Sequence, residues 1–449
     1  MKGAYHLTED AISSSLLKLS VPIIATNFIQ TTYGMVDMIW VGKLGSGPVA
    51  AIGTASFFVN LALALATMVS IGSGVKIAHC IGANQKEEAA EYIKNGFIMS
   101  LILAVLYTFI VFMYKDSFIG FFELGDPQVE RMAVQFLVIS MIGVIFSIIN
   151  LLYSMILNSM GNSKTPFRIY TIGFIINILL DPFLIFGIEF IPGMGVIGAA
   201  LATLTANITV SLLFWINSRR YLSFGDHTNW NGRKMIEVIK MGIPITVQRV
   251  AFIAISIVIA KIIVQWGAEA IAVQKVGIQI ESISYMTIGG LQGAIAAFVG
   301  QNYGAKKLNR IQAGYKIALL MTIGFGILTS LLFILIPEQL FSIFINEPNS
   351  IKLGADYMRI LGYSQVFMCM ELITVGAFNG LGKTYIPPIF SITFTVLRIP
   401  MAILLSEPFG LNGVWMSIAI SSLLKGVVLV SWFMLTLRKM KNKTSQILA

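Results

Sequence analysis

The sequence predicts an all-α integral membrane protein, with twelve transmembrane helices in two six-helix lobes related by a parallel pseudo-twofold repeat. Three observations predict it. The chain is much more apolar than a soluble protein, its apolar runs recur at bilayer-spanning length with alternating charge on the connections, and its second half repeats the first.

The apolarity comes first because it excludes most alternatives. Of 449 residues, 56% are hydrophobic and 12% charged, against about 25% charged in soluble domains, and mean hydropathy is +0.82. The net charge of +10 does not imply nucleic acid, because the basic residues are dispersed over short connections and gather on no soluble domain. The opening stretch MKGAYHLTEDAISSS lacks the apolar core and cleavage site of a signal peptide, so the first span is expected to remain in the mature protein. Two cysteines, Cys80 and Cys369, and three histidines, His6, His79 and His227, make no zinc or haem motif. No cofactor is expected. The same inventory leaves an intramembrane enzyme only a pair of aspartates to work with, and no filter-like loop interrupts the runs as a channel would need. Neither an enzyme nor a channel is expected.

The runs lie at about 19–41, 49–75, 95–114, 132–158, 167–188, 195–217, 241–265, 271–299, 313–336, 355–379, 386–405 and 411–437, each long enough for a spanning helix. Alternate connections are basic: Lys76, Lys86 and Lys94; Lys164 and Arg168; Arg219, Arg220, Arg233, Lys234 and Lys240; Lys306, Lys307, Arg310 and Lys316; Lys383; and the tail from Arg438. The others are poor in bases and hold Asp116, Glu123, Asp126, Glu130, Glu189, Glu338, Glu347 and Glu407. By the positive-inside rule both termini are cytoplasmic in a plasma (inner) membrane, which requires an even number of spans.

The halves match in register. Lys240 lies 222 residues after Lys18 (240 − 18), and without a gap the same offset pairs Pro22 with Pro244, Gly45 with Gly267, Ala50 with Ala272, and Gly82-Ala83 with Gly304-Ala305. The register then drifts by a few residues, setting Asp126-Pro127 against Glu347-Pro348, Lys164-Thr165 against Lys383-Thr384, and GVIGAA from Gly195 against GLNGVW from Gly410. A six-plus-six repeat whose halves start on the same side of the membrane is parallel, and it puts a transport path between the halves. The expected organisation is a lobe over 1–216, a cytoplasmic linker over 217–240 and a second lobe over 241–449. Each lobe is preceded by an amphipathic lead-in; at the N-terminus Thr8 is the expected N-cap and Ile12, Leu16 and Leu19 form the apolar stripe.

Two carboxylates stand out inside apolar runs. Asp37 lies in the first, LSVPIIATNFIQTTYGMVDMIWV, with Gln30 and Tyr33 on the same helical face. Asp181 lies in the fifth, FRIYTIGFIINILLDPFLIFG, with Asn177 one turn earlier and Pro182 loosening the backbone beside it. An acid at a helix centre costs roughly 2.5 to 3.5 kcal/mol to insert, so such residues face polar cavities or partners. A carboxyl that exchanges a proton near neutral pH must be held about 4 kcal/mol from its aqueous ionisation, which burial supplies.

With these residues in view, the chain resembles the multidrug and toxic compound extrusion (MATE) transporters, in particular the prokaryotic branch of the DNA-damage-inducible F proteins. The likeness rests on VP followed by YGMVDMIWVGKLG, the GAN and GQNYGA loops, GNSKTP, NILLDPFLIFG and GVIGAALAT, and covers nearly the whole chain. It implies two lobes opening alternately to either side. It also implies a cation site in the first lobe at Asp37, Asn177 and Asp181, with Gln30, Tyr33 and Thr203 around them, where a proton or sodium ion couples to export of drugs or amphipathic metabolites. The acid that other branches carry early in the seventh helix is missing, since GIPITVQRVAF has Gln248 and Arg249 there.

The second half differs in charge. Its runs contain Arg249, Lys261, Lys275, Arg398 and Lys425 against Glu281 and Glu371. These are expected either to form structural ion pairs or to line a substrate cavity, chiefly Arg249, Lys275, Glu281, Glu371 and Arg398, suited to a zwitterionic, anionic or lipid-like cargo. The expected partners are a small-molecule substrate and membrane lipids, without nucleic acid, and the chain is expected to act as a monomer. The competing expectation is a lipid or lipid-linked oligosaccharide flippase of the same superfamily.

Overall fold

The computed structural model describes residues 5–188, 191–218 and 231–448, the side chains of 188, 191 and 443–448 excepted. Glu189 and residues 219–230 of the expected linker, with Arg219, Arg220 and His227, lie outside the described residues.

The first repeat consists of α1 (Ile12–Gly42), α2 (Ser46–Gly82), α3 (Lys86–Met113), the short α4 (Lys115–Gly120), α5 (Pro127–Ser159), α6 (Lys164–Phe186) and α7 (Val196–Ser218). A two-stranded antiparallel hairpin, β1 (Gly187–Ile188) with β2 (Ile191–Pro192), joins the last two helices. The second repeat consists of α8 (Gly232–Ile263), α9 (Ala268–Gly304), α10 (Leu308–Leu335), the short α11 (Pro337–Ser342), α12 (Pro348–Gly362), α13 (Gln365–Gly380), α14 (Ile386–Val396), α15 (Arg398–Phe409) and α16 (Leu411–Leu448). Eleven of the described helices are long and apolar enough to span, with α14 and α15 counted together. The bent pair α12 and α13 makes the twelfth.

Helix starts follow local chemistry. Asp126 caps α5 by accepting from the Gln128 amide at 2.8 Å, and Pro127 and Pro348 open α5 and α12, where a missing N–H costs nothing. At the N-terminus, Thr8 sits in a turn and α1 begins at Ile12, so Thr8 does not cap it. The His6 amide instead donates to the Asp10 carboxylate, 3.1 Å away.

The repeat is visible in the backbone. Helices α2 and α9 each have 37 residues, and α3 and α10 each have 28. Between them Asn84 (φ 59°) and Lys306 (φ 56°) take the left-handed conformation at the offset of 222. The amide of Gln85 bonds the carbonyl of Cys80, and that of Lys307 bonds the carbonyl of Asn302, both at 2.8 Å. This is the same six-to-one helix stop made twice.

Two spans of the second repeat are broken where those of the first are continuous. Between α12 and α13 the axis bends by 52°. The Ser330 hydroxyl donates to the Gly362 carbonyl there, satisfying a group that a continuous helix would have used itself. Between α14 and α15, Pro400 provides no amide hydrogen for the Val396 carbonyl, and the helix restarts at Arg398.

The chain divides into two compact units, and the division falls inside helices. Of the described residues, unit 1 contains Tyr5 and those of 25–242, and unit 2 contains those of 6–24 and 243–448. The lead-in of each long helix therefore packs in the unit opposite to the rest of it. In unit 1 the start of α8 is held by Glu237, which takes bonds from the Lys76 ammonium and the Tyr92 hydroxyl at 2.6 Å each, and by Lys234 at 2.6 Å from Glu91. In unit 2 the segment before α1 is held by Arg310, whose Nη2 donates to the carbonyls of Leu7 at 3.1 Å and Asp10 at 2.7 Å. Leu16 and Leu19 of the expected stripe are fully buried, and Ile12 is half-buried.

Candidate functional site: an acidic pocket and a mixed-charge cluster

In unit 1, α1 and α6 lie side by side in parallel. Four contacts climb both helices together: Gln30 with the Tyr170 hydroxyl, the Tyr33 ring with Phe174 (6.1 Å), Asp37 with Asp181, and Trp40 with Phe186 (6.1 Å). Parallel neighbours are what the first and fifth spans of an alternating topology must be. Their alignment sets the two aspartates level, so side chains 144 residues apart in sequence (181 − 37) share one pocket.

Asn177 and Asp181 are fully buried and Asp37 is half-buried. Asn177 Nδ2 donates to Asp181 Oδ1 at 3.3 Å, and Thr203 Oγ1 of α7 donates to Asp37 Oδ2 at 3.2 Å. Asp181 and Asn177 lie beside Asp37, and Thr203 lies beside the Tyr33 hydroxyl, which is buried and has no hydrogen-bond partner among the described residues. Three acceptor oxygens nevertheless remain buried and receive no hydrogen bond: Asp37 Oδ1, Asn177 Oδ1 and Asp181 Oδ2. Buried acceptors are normally satisfied, and two carboxylates side by side repel unless a positive charge enters between them. The arrangement can hold a proton or a small cation. Among the described residues no three His, Cys, Asp or Glu side chains group as for a transition metal.

Five of the six residues expected in this pocket, Tyr33, Asp37, Asn177, Asp181 and Thr203, are brought together there, whereas Gln30 meets Tyr170 instead. Gln30 stands one turn from Tyr33 at its exposed end. The sequence reading missed Tyr170 and Phe174, the α6 partners of Gln30 and Tyr33. The signal available was their position on the face of α6 that carries Asn177 and Asp181.

Unit 2 gathers Glu281 of α9, Glu371 of α13 and Arg398 of α15, and adds Lys425 of α16. Glu371 is buried against Lys425 at 2.9 Å and accepts from the Ser391 hydroxyl at 3.0 Å. Glu281 accepts from Gln365 Nε2 at 2.8 Å and from the Tyr357 hydroxyl at 3.3 Å. Arg398 Nε donates to Ser421 and Nη2 to Ser422, with the guanidinium 5.9 Å from the Phe252 ring centre. Arg249 and Lys275 are exposed on α8 and α9, with no hydrogen bond or ion pair to this cluster among the described residues. Of the second-half residues expected in a cavity, three are thus assembled and two are not.

A family model described as MatE matches residues 22–183 and 244–404. The chain belongs to the MatE family. The two matched pieces are the two repeats, beginning at Pro22 and Pro244. Along its length the MatE chain is similar to a protein named "Probable multidrug resistance protein NorM" of Thermotoga maritima, 26% identical over 94% of this chain and 92% of that one. It is also similar to an "FAD transporter" of Shewanella oneidensis, 23% identical over 95% of each chain. A structure titled "Crystal structure of MATE in the bent conformation" superposes with a TM-score of 0.92, at 23% identity over 99% of both chains. This MatE protein is therefore a multi-pass membrane transporter and not an enzyme.

Proposed function

We propose that the chain is a cation-coupled antiporter, exporting drugs or amphipathic metabolites by alternating access, with the coupling ion bound at Asp37, Asn177 and Asp181. The observation that carries this reading is the convergence of three unsatisfied buried oxygens from two helices, one from each of two carboxylates and one from an amide. A proton between the aspartates would turn their repulsion into a hydrogen bond; a sodium ion would accept lone pairs from the same oxygens. Either ion changes the charge of the pocket by one, so cargo and ion favour different states of it. The drug-resistance name of the Thermotoga relative and the aromatic cargo in the name of the Shewanella relative support an amphipathic cargo. On the same reading the chain works as a monomer in the plasma (inner) membrane, with both termini cytoplasmic.

The test is efflux of a fluorescent cation from vesicles under an imposed proton or sodium gradient. Asp37→Asn and Asp181→Asn are expected to fold, as judged by gel filtration, and to lose gradient-driven efflux. Whichever gradient drives the wild type identifies the ion. Undiminished efflux from the double Asn variant sinks the proposal, and gradient-independent lipid translocation in its place would favour the flippase reading.

A further inference from the structure

The cluster in unit 2 contains one charge whose hydrogen bonding is unlike that of the others. All four carboxylate oxygens there are engaged: Glu371 Oε1 by Ser391 and Oε2 by Lys425, Glu281 Oε1 by Gln365 and Oε2 by Tyr357. Lys425 has its carboxylate. Arg398, only 6% exposed, has none within 4.0 Å among the described residues, although Glu281 and Glu371 both lie near enough to act on its charge. Its hydrogen bonds go to two serine hydroxyls, which are neutral and exchangeable. A guanidinium has five N–H donors in a planar fork, so three remain once Ser421 and Ser422 are served.

The repeat relates the place of Arg398 to that of the acidic pocket. The matched family segments end at Phe183 and Leu404, an offset of 221 (404 − 183). The offset between the close approaches of Leu184 to Gly198 and Leu405 to Gly413 is the same on the earlier helix (405 − 184 = 221). That offset carries Asn177 onto Arg398. Beyond the break between α14 and α15 that register sets a cation against the amide of the acidic pocket, whereas before the break the offset is 219 (383 − 164) and sets Val396 there. Beside Arg398, Phe252 and Tyr285 are 45% and 41% exposed, an aromatic margin of the kind an amphipathic molecule needs.

We propose that Arg398 anchors an oxyanion-recognition site in unit 2, taking the carboxylate or phosphate group of an amphipathic cargo whose aromatic body lies against Phe252 and Tyr285. The site rests on the reading of the chain as an exporter of amphipathic molecules and narrows the cargo class to zwitterions and anions. The oxyanion displaces or joins the Ser421 and Ser422 hydroxyls and accepts two parallel N–H bonds from the guanidinium fork. Glu281 and Glu371 limit the gain, because they partly neutralise Arg398, and they make the site selective for groups that bond the fork directly over anions that sense only its charge.

Equilibrium binding to the purified full chain tests this without any gradient, so its failure is separable from failure of the coupling reading. The probes are rhodamine B, which has a free carboxylate, and its ethyl ester, which lacks one. Hydrogen bonds to charged groups contribute about 1.5–3 kcal/mol, or tenfold or more in affinity. Arg398→Gln is therefore expected to weaken rhodamine B at least about tenfold and the ester less than about twofold. Arg398→Lys, which keeps the charge and loses the fork, is expected to weaken only the acid, by a smaller factor, and serves if the Gln variant fails gel filtration. Equal losses for both dyes, or none for either, overturn the proposal. The measurement is repeated in phosphatidylcholine vesicles with and without phosphatidylglycerol. Discrimination that persists in both supports a cargo site, while its loss on adding phosphatidylglycerol assigns Arg398 to lipid head groups and overturns the cargo assignment.

Discussion

Where the first repeat has Asn150 on α5, bonded to the Ser211 hydroxyl at 2.7 Å and the Asn207 carbonyl at 3.1 Å of α7, the second has Glu371 on α13, paired with Lys425 of α16. The correspondence follows from the prolines that open the two spans, Pro127 and Pro348 (348 − 127 = 221, and 371 − 150 = 221). The same helix pair is thus joined through a neutral polar contact in one unit and through a buried ion pair in the other. Asn177 and Arg398 make a similar contrast. The backbone landmarks are kept in both units, whereas the polar groups are reassigned. Close helix approaches admit few side chains, but a buried polar position requires only that its partner complement it, so charge can be gained between repeats while the fold is unchanged.

That comparison predicts its largest effect at the ion pair. Removing one partner leaves an uncompensated buried charge, so Lys425→Met is expected to cost about 3–5 kcal/mol, seen as a large drop in the thermal midpoint of the detergent-solubilised protein. The double change Glu371→Gln with Lys425→Met is expected to recover most of it, copying the neutral contact of unit 1. A double variant as unstable as the single one would mean that the ion pair cannot be exchanged for a neutral contact.

A medium effect is expected where the repeats agree. A Cβ at Gly198 or Gly413 would run into the backbone carbonyl of Leu184 or Leu405, at matched places in the two units. Neither carbonyl can move as a flexible side chain would. Gly198→Ala and Gly413→Ala are each expected to destabilise by about 1–3 kcal/mol, and to similar extents. Strongly unequal midpoints would show that the backbone symmetry does not extend to packing.

The smallest effect separates the two helix stops. Asn tolerates the left-handed region better than Lys does, so Lys306→Gly is expected to stabilise by roughly 0.5–1 kcal/mol, and Asn84→Gly by less. Equal gains at the two positions would contradict that account.

Much of this could be read before any coordinates. Pro22 and Pro244, the gap-free offset over the first two spans and the alternating charge of the connections yielded twelve spans and two repeats, because membrane burial imposes length and topology gives loops their sign. The acidic pocket was legible too, since Asp37 and Asp181 are costly in apolar helices and their helical neighbours point the same way. The chain passes from one unit to the other at 242, close to the expected 241, but the exchange of lead-ins was not legible. Polarity marks a linker at 217–240, whereas the compact units exchange the lead-ins of α1 and α8, a choice made by what each lead-in packs against.

The broken spans and the pairing within the second unit were likewise hidden. Ser330 bonds the Gly362 carbonyl across 32 residues, and Lys425 finds Glu371 across 54 (425 − 371). By itself the sequence determined which residues enter the membrane, how often the chain crosses it, and which of its charges are expensive there, since those depend on local composition and period. Only the tertiary structure decided which expensive charges meet. It levelled Asp37 with Asp181, neutralised Glu371 with Lys425, and left Arg398 to hydroxyls, because partner choice is set by helix register and crossing, which no local stretch encodes.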